Sequence, residues 1–157
     1  MQDRDHRYRA FISYSHADEA WAKWLHRALE TYRVPKRLVG RQTELGPVPE
    51  RLAPVFRDRD ELATSTNLSD TLTRALQQSA NQIVICSPAA AKSRWVNEEV
   101  LAFKRLGREH RVFCLIVGGE PGDPSQDCFP PALVYRLGVN GQLTEERSEP
   151  IAADARP

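Results

Sequence analysis

Residues Gln82 to Val117 read QIVICSPAAAKSRWVNEEVLAFKRLGREHRVFCLIV, and their pattern decides the architecture. Gln82 to Ser87 (QIVICS) is an unbroken apolar run of strand length, the pattern of a strand buried on both faces. From Ser93 to Leu106 the period changes. Trp95, Val96, Val100, Phe103 and Leu106 share one helical arc, and Gly107 supplies a stop. Arg111 to Val117 (RVFCLIV) returns to a strand, closed by Gly118 and Gly119.

The same alternation runs upstream. Arg9 to Tyr14 (RAFISY) is a compact strand-type run. Ala20 to Tyr32 carries Trp21, Trp24, Leu25, Ala28, Leu29 and Tyr32 at helical spacing, with Asp18 placed to cap it. Leu52 to Phe56 (LAPVF) is a second strand, and Pro54 puts it at a sheet edge. Leu68, Leu72, Ala75 and Leu76 mark a second amphipathic helix, opened by Thr66 or Asn67 with Asp70 in its first turn. Strands alternating with helices predict an α/β fold: a central parallel sheet with helices on both faces. Val34 to Pro49 and Glu120 to Pro131 read as long loops, and Ala132 to Leu137 as a last strand or turn. Residues 1–7 are an expected N-terminal tail and 8–140 the domain. Residues 141–157, polar and without period, are expected to be a linker or tail leading to a C-terminal region not included here.

Composition narrows the function classes. The chain has 157 residues, 41% of them hydrophobic and 27% charged, and a net charge of +1. That size fits one domain. The balanced charge argues against nucleic acid or an acidic membrane as the main partner. No apolar run approaches the roughly 20 residues of a membrane span, and Met1 to Arg9 is too polar for a signal peptide. Cys86, Cys114 and Cys128 form no CxxC pair, so reduced thiols in a cytoplasmic protein are the expectation, with neither a disulfide scaffold nor a metal site. His6, His16, His26 and His110 have no metal-ligand spacing, and neither a phosphate-binding glycine loop nor a GxSxG elbow is present.

In an open parallel sheet ligands bind beyond the carboxyl ends of the strands. Here those ends are Ser13-Tyr14-Ser15-His16, Arg57-Asp58-Arg59-Asp60-Glu61, Ser87-Pro88 and Gly118-Gly119. On the third helix, Glu99 falls inside the apolar arc one turn after Trp95, while Glu98 falls outside it beside Asn97 and Arg94. An inward carboxylate must be hydrogen-bonded, paired or lining a pocket. Glu99 is therefore either an ion pair at the rim of the core, to Arg94 or Arg57, or a pocket residue. Glu98 reads as a solvated surface charge.

Three boxes in order resemble the Toll/interleukin-1 receptor (TIR) domain of the bacterial type. They are Ala10 to Ser15 (AFISYS), similar to the family's first-strand box; Phe56 to Leu68 (FRDRDELATSTNL), similar to the end of its second strand and the following BB loop; and Ser87-Pro88 with Ser93 to Glu99 (SRWVNEE), similar to its S-x-W-x-x-x-E helix opening. The resemblance implies a flavodoxin-like three-layer sandwich, self-assembly through TIR–TIR contacts into a homo-oligomer or filament, and, in one branch, cleavage of NAD+ at the nicotinamide–ribose bond. In that branch the glutamate four residues after the tryptophan is catalytic, which is Glu99 here. The resemblance further implies substrate contacts from Phe11, Tyr14, Ser15, Arg57, Asp58 and Trp95. Arg59, Asp60, Glu61, Leu62, Ala63, Thr64 and Ser65 would form the BB loop. NAD+ is then a substrate, with no cofactor and no metal. Bacterial defence or signalling is the implied setting.

The alternatives from other classes are a non-enzymatic TIR–TIR adaptor, to which the mixed charges of Asp58 to Glu61 are suited, and a nucleotide-binding receiver or nucleoside-processing domain. Strand one ends in Ser13-Tyr14-Ser15 without the acidic pair a phosphoacceptor receiver requires.

Overall fold

The computed structural model describes residues 6–57 and 69–157. The elements in chain order are β1 (Tyr8–Ser13), α1 (Glu19–Thr31), β2 (Gln42–Thr43), β3 (Gly46–Pro47), β4 (Val55–Arg57), α2 (Asp70–Gln77), β5 (Ser79–Cys86), α3 (Pro88–Lys92), α4 (Arg94–Phe103), β6 (Val112–Ile116), α5 (Pro131–Val134), β7 (Tyr135–Leu137), β8 (Leu143–Arg147) and β9 (Ile151–Asp154). The central sheet runs β4-β1-β5-β6-β9, and every pairing in it is parallel. This is the 2-1-3-4-5 order of flavodoxin-like folds, whose strand order reverses between the first and third strands, here β1 and β5. Short antiparallel pairs, β2 with β3 and β7 with β8, sit outside the sheet.

Chain direction divides the helices between the two faces. The step from β1 to β4 runs one way across the sheet, and the steps to β5, β6 and β9 run the other way. Crossovers of one hand therefore place α1 on one face and α2, α4 and α5 on the opposite face. Under α1 lie Ala10, Ile12, Val55 and Ile85, with Ala22 buried and Trp21, Leu25 and Leu29 packed around them. The other face holds the larger core: Phe11, Val84, Cys86, Val112, Cys114 and Ile116 from strands, met by Leu76, Val96, Val100, Phe103 and Leu133 from helices.

Several sequence expectations are corrected. Trp24, placed on the buried face of α1 by its spacing, is 58% exposed; the inward stripe is Ala22, Leu25 and Leu29. The α2 cap is Ser69, whose Oγ accepts from Leu72 N at 3.1 Å; Thr66 and Asn67 lie outside the described residues. Strand β5 begins three residues earlier than the apolar run. Its polar start is satisfied by tertiary bonds, with Ser79 Oγ donating to Ala75 O and Asn81 Nδ2 to Arg9 O. Leu106 leaves the helical arc because the regular helix ends at Phe103 and gives way to a wider turn over Lys104–Arg108, with Gly107 at φ 81°. A positive φ favours glycine there.

The largest correction concerns residues 141–157. They are not an unstructured tail: β8 pairs with β7, and β9 is the last strand of the central sheet, with Ile151, Ala152, Ala153 and Asp154 in register with Phe113, Cys114, Leu115 and Ile116. Arg156 fastens this end, bonding Asp154, Glu120 Oε2 and Gly119 O. Those paired anions raise the Arg156 guanidinium further above its ordinary value, and the hydrogen bonds from Arg156 hold Asp154 down to about 2. The edge strand β4 is only three residues long, yet both backbone polar groups of Val55 are used by α1. Its N–H donates to Glu30 Oε2, and its carbonyl accepts from His26 Nε2 at 2.9 Å.

Candidate functional site

The strand-order reversal places a crevice at the carboxyl ends of β1 and β5. Ser13-Tyr14-Ser15 leave one strand and Cys86-Ser87 the other. Ser87 organises the floor. Its Oγ accepts from Ala90 N at 3.1 Å, capping α3, and donates to Asp18 Oδ2 at the start of α1. Ser93 repeats the device six residues on, accepting from Val96 N at 3.2 Å and fixing the start of α4.

Helix α4 carries the central group. Its buried residues are Val96, Glu99, Val100 and Phe103, at spacings of three and four, so the sheet-facing stripe includes a carboxyl. Glu99 is 4% exposed and is the only acidic side chain among the described buried residues. Trp95, one turn earlier, is half-buried. Glu98 is also half-buried rather than fully solvated, and its neighbour Asn97 does structural work: Asn97 Oδ1 accepts from Ala132 N at 2.8 Å and anchors α5 to α4.

Other predicted site residues divide by depth. Tyr14 and Ser15 are half-buried at the end of β1. Arg57, at the end of β4, donates from Nη1 to Tyr14 Oη at 3.3 Å, so these two come together at the mouth. Arg57 Nε is buried and has no hydrogen-bond partner among the described residues, which leaves a cationic donor for a ligand. Phe11 is fully buried and stacks on Phe56 with ring centroids 5.1 Å apart. It belongs to the packing beneath the mouth rather than to a wall that meets a ligand. Asp58, Arg59, Asp60, Glu61, Leu62, Ala63, Thr64 and Ser65 lie outside the described residues.

Sequence reasoning missed a buried polar pair on the same face. Gln82 Nε2 donates to Ser13 Oγ at 2.9 Å, and neither residue has exposed surface. The pair depends on register, because Gln82 stands opposite Phe11 and Ser13 opposite Val84. Only the alignment of two strands far apart in sequence reveals it.

Elsewhere the chemistry is less suited to catalysis. A cavity of about 500 Å³ lined by Lys104, Glu109, His110, Arg136 and Ile151 sits at the opposite, amino-terminal ends of β6 and β9, away from Glu99. Its Lys104 is buried and already engaged by Tyr135 O and Glu109; burial lowers its affinity for a proton. Cys86, Cys114 and Cys128 are buried free thiols. A hydrogen bond with Cys114, then burial, pushes Cys86 far above the ordinary thiol range, and burial pushes Cys128 up to about 11, so both stay protonated at neutral pH and are poor nucleophiles. Among the described residues no three or more His, Cys, Asp or Glu side chains are placed to hold a metal ion, and no helix is long and apolar enough to cross a membrane.

The chain is similar to known proteins. The chain is 37% identical over 115 residues to the NAD(+) hydrolase ApTIR of Actinoplanes sp. (strain ATCC 31044 / CBS 674.73 / SE50/110), an alignment covering 73% of this chain and 14% of that protein. Among solved structures, the TIR domains of the activated Roq1 resistosome, which directly recognises the pathogen effector XopQ, align at 20% identity and a TM-score of 0.46 over 75% of this chain and 60% of theirs. The family model for the TIR-like domain of Thoeris protein ThsB matches residues 11–119, from β1 through the end of β6 and so across the whole crevice. The chain belongs to that TIR-like domain family.

Proposed function

We propose that this domain cleaves NAD+ at the nicotinamide–ribose bond, with Glu99 as the catalytic residue. The observation that carries the reading is the burial of Glu99 on the sheet-facing stripe of α4, the helix that packs on β1 and β5. Burying a carboxyl is costly unless it is hydrogen-bonded, paired or lines a site, and the place of α4 against the two strands at the order reversal favours the last of these. The similarity to an NAD(+) hydrolase supports the same reading.

The chemistry suits one carboxylate. Nicotinamide departs from NAD+ as a neutral molecule, taking the electron pair of the breaking C–N bond, so no acid need protonate it. Ordinary glycosides use two carboxylates. Positive charge develops on the ribose, and a fixed anion in a partly dry site stabilises it by several kcal/mol. Glu99 supplies the anion and accepts from the ribose hydroxyls; Trp95 packs against the sugar or the ring; Arg57, held beside Tyr14 with an Nε–H unpartnered among the described residues, meets the pyrophosphate. Attack by water gives ADP-ribose, and attack by an internal hydroxyl or adenine nitrogen gives a cyclic isomer. NAD+ is the substrate, and the scheme requires no cofactor. Assembly with further TIR domains and a cytoplasmic role in bacterial defence or signalling complete the proposal, the defence setting following from the likeness to a Thoeris protein.

The test is nicotinamide release from NAD+ by concentrated protein. Wild type releases nicotinamide, Glu99→Ala loses at least about 100-fold of the rate, and Glu98→Ala stays within about twofold. No release by assembled wild type would leave only the adaptor reading, and loss in Glu98→Ala alone would move the assignment to that neighbour.

A further inference from the structure

The segment between α1 and β4 has no part in the site above, and positive charge gathers there. Residues 33–51 carry Arg33, Lys36, Arg37, Arg41 and Arg51 against only Glu44 and Glu50, a net +3 in a chain whose total is +1. The balanced total therefore averages over an uneven surface. All five cations are exposed. Among the described residues none of the five forms an ion pair, whereas Glu44 is taken by Arg111 at 3.5 Å and His110 at 3.7 Å.

The segment is a built hairpin. Val34 N donates to Glu50 O at 2.9 Å, Gly40 N to Val48 O at 2.8 Å and Val48 N to Arg41 O at 2.8 Å. The β2–β3 pair continues it to the tip, and Pro35, Pro47 and Pro49 stiffen it. The contacts of Glu44 fasten the tip to the start of β6. In this frame Arg33 and Arg51 stand opposite each other across an antiparallel bridge. Like charges so placed repel. The carboxyl end of α1 favours one cation beside it, not a facing pair with three more. An anion between the two turns repulsion into attraction.

The side chains select the anion. Four of the five cations are Arg, whose planar fork matches phosphate oxygens two at a time. A membrane surface or a protein partner calls for exposed apolar anchors, and over residues 32–51 Tyr32 is the one large exposed apolar or aromatic side chain. A phosphodiester backbone needs only cations. Tyr32 then offers a ring on which an unpaired base stacks.

We infer that the 33–51 hairpin binds single-stranded nucleic acid, with Arg33, Arg51, Arg41, Lys36 and Arg37 on the phosphates and Tyr32 under a base. The surface lies where α1 ends and β4 begins, at the opposite end of the sheet from the crevice, so the inference does not rest on the NAD+-cleaving reading.

The test is fluorescence anisotropy with a labelled oligothymidylate about 20 nucleotides long, which exceeds one site of this kind. Wild type binds with a Kd of about 1–100 μM at physiological salt, and log K falls against log salt with a slope of roughly −2 to −3.5. Arg33→Ala with Arg51→Ala weakens binding at least about tenfold and lowers the size of the slope by about one to two. Tyr32→Leu weakens it about fivefold or more at an unchanged slope. Lys23→Ala with Lys92→Ala, which removes the same net charge elsewhere, stays within twofold. No salt-dependent binding by wild type overturns the inference, as does equal weakening in the control pair or equal binding of polyglutamate. Capture by phosphatidylserine vesicles without binding of the oligonucleotide assigns the surface to lipid and overturns it too. Duplex bound as tightly as the single strand, with Tyr32→Leu unchanged, overturns the single-strand assignment.

Discussion

The two faces of the sheet are built from the same five strands and follow different rules. Under α1 the buried cluster is small and apolar throughout: Ala10, Ile12, Ala22, Val55 and Ile85. Under α2, α4 and α5 the core is larger, and it admits Ser13, Gln82 and Glu99, all buried and all polar. Ser79, Ser87, Lys104 and Arg111 are buried as well, but Ser13, Gln82 and Glu99 share the face beneath α4, next to the strand-order reversal, and mark it as shaped by chemistry as well as by packing.

The comparison breaks most clearly on large-to-small substitutions. Ile85→Ala, on the α1 face, costs about 3 kcal/mol of stability in chemical denaturation while nicotinamide release per folded molecule stays within twofold. Val100→Ala, on the α4 face, costs less stability, about 2 kcal/mol, yet lowers release about tenfold because it loosens the helix turn that carries Glu99. Equal effects of the two on release would erase the distinction between the faces. Next in size, Asn97→Ala leaves the Ala132 N–H without its acceptor and costs about 1–2 kcal/mol, read as a lowered denaturation midpoint.

The smallest effect lies at the far edge and sharpens the contrast by having no link to catalysis. Asp154 is held from 3.8 down to about 2 by Arg156. A depressed carboxylate stabilises the fold above its unfolded pKa, and that contribution disappears as pH falls through the folded value. The wild type therefore loses this share of stability between about pH 4 and pH 2. Arg156→Ala shows a shallower acid decline over that interval in Tm against pH, with nicotinamide release unchanged.

Much of this was legible in the residues. The Gln82–Val117 run and the box around Phe11 declare strands because continuous apolar stretches have few other solutions, and Glu99 stands out because helical period alone puts it among Val96, Val100 and Phe103. What stayed hidden depended on partners. The strand Ile151–Asp154 has no apolar pattern of its own; it forms because β6 offers an unpaired edge and Arg156 ties its end. The polar start of β5 is a strand only because Ala75 and Arg9 accept its side chains. The Ser13–Gln82 pair required the register of β1 against β5. Leu106 misled because the helix changes its winding before Gly107, which spacing cannot reveal.

The account turns on the claim that Glu99 is buried for catalysis rather than for stability. Nicotinamide release by Glu99→Gln, measured beside wild type at equal folded concentration, tests that most directly, since the amide keeps the shape and removes the charge. The predicted result is a rate at least about 100-fold below wild type from a protein whose Tm is equal or higher, as expected when an active-site group is relieved of its strain on the fold. Wild-type release by the variant, or loss of release only in step with unfolding, would contradict it.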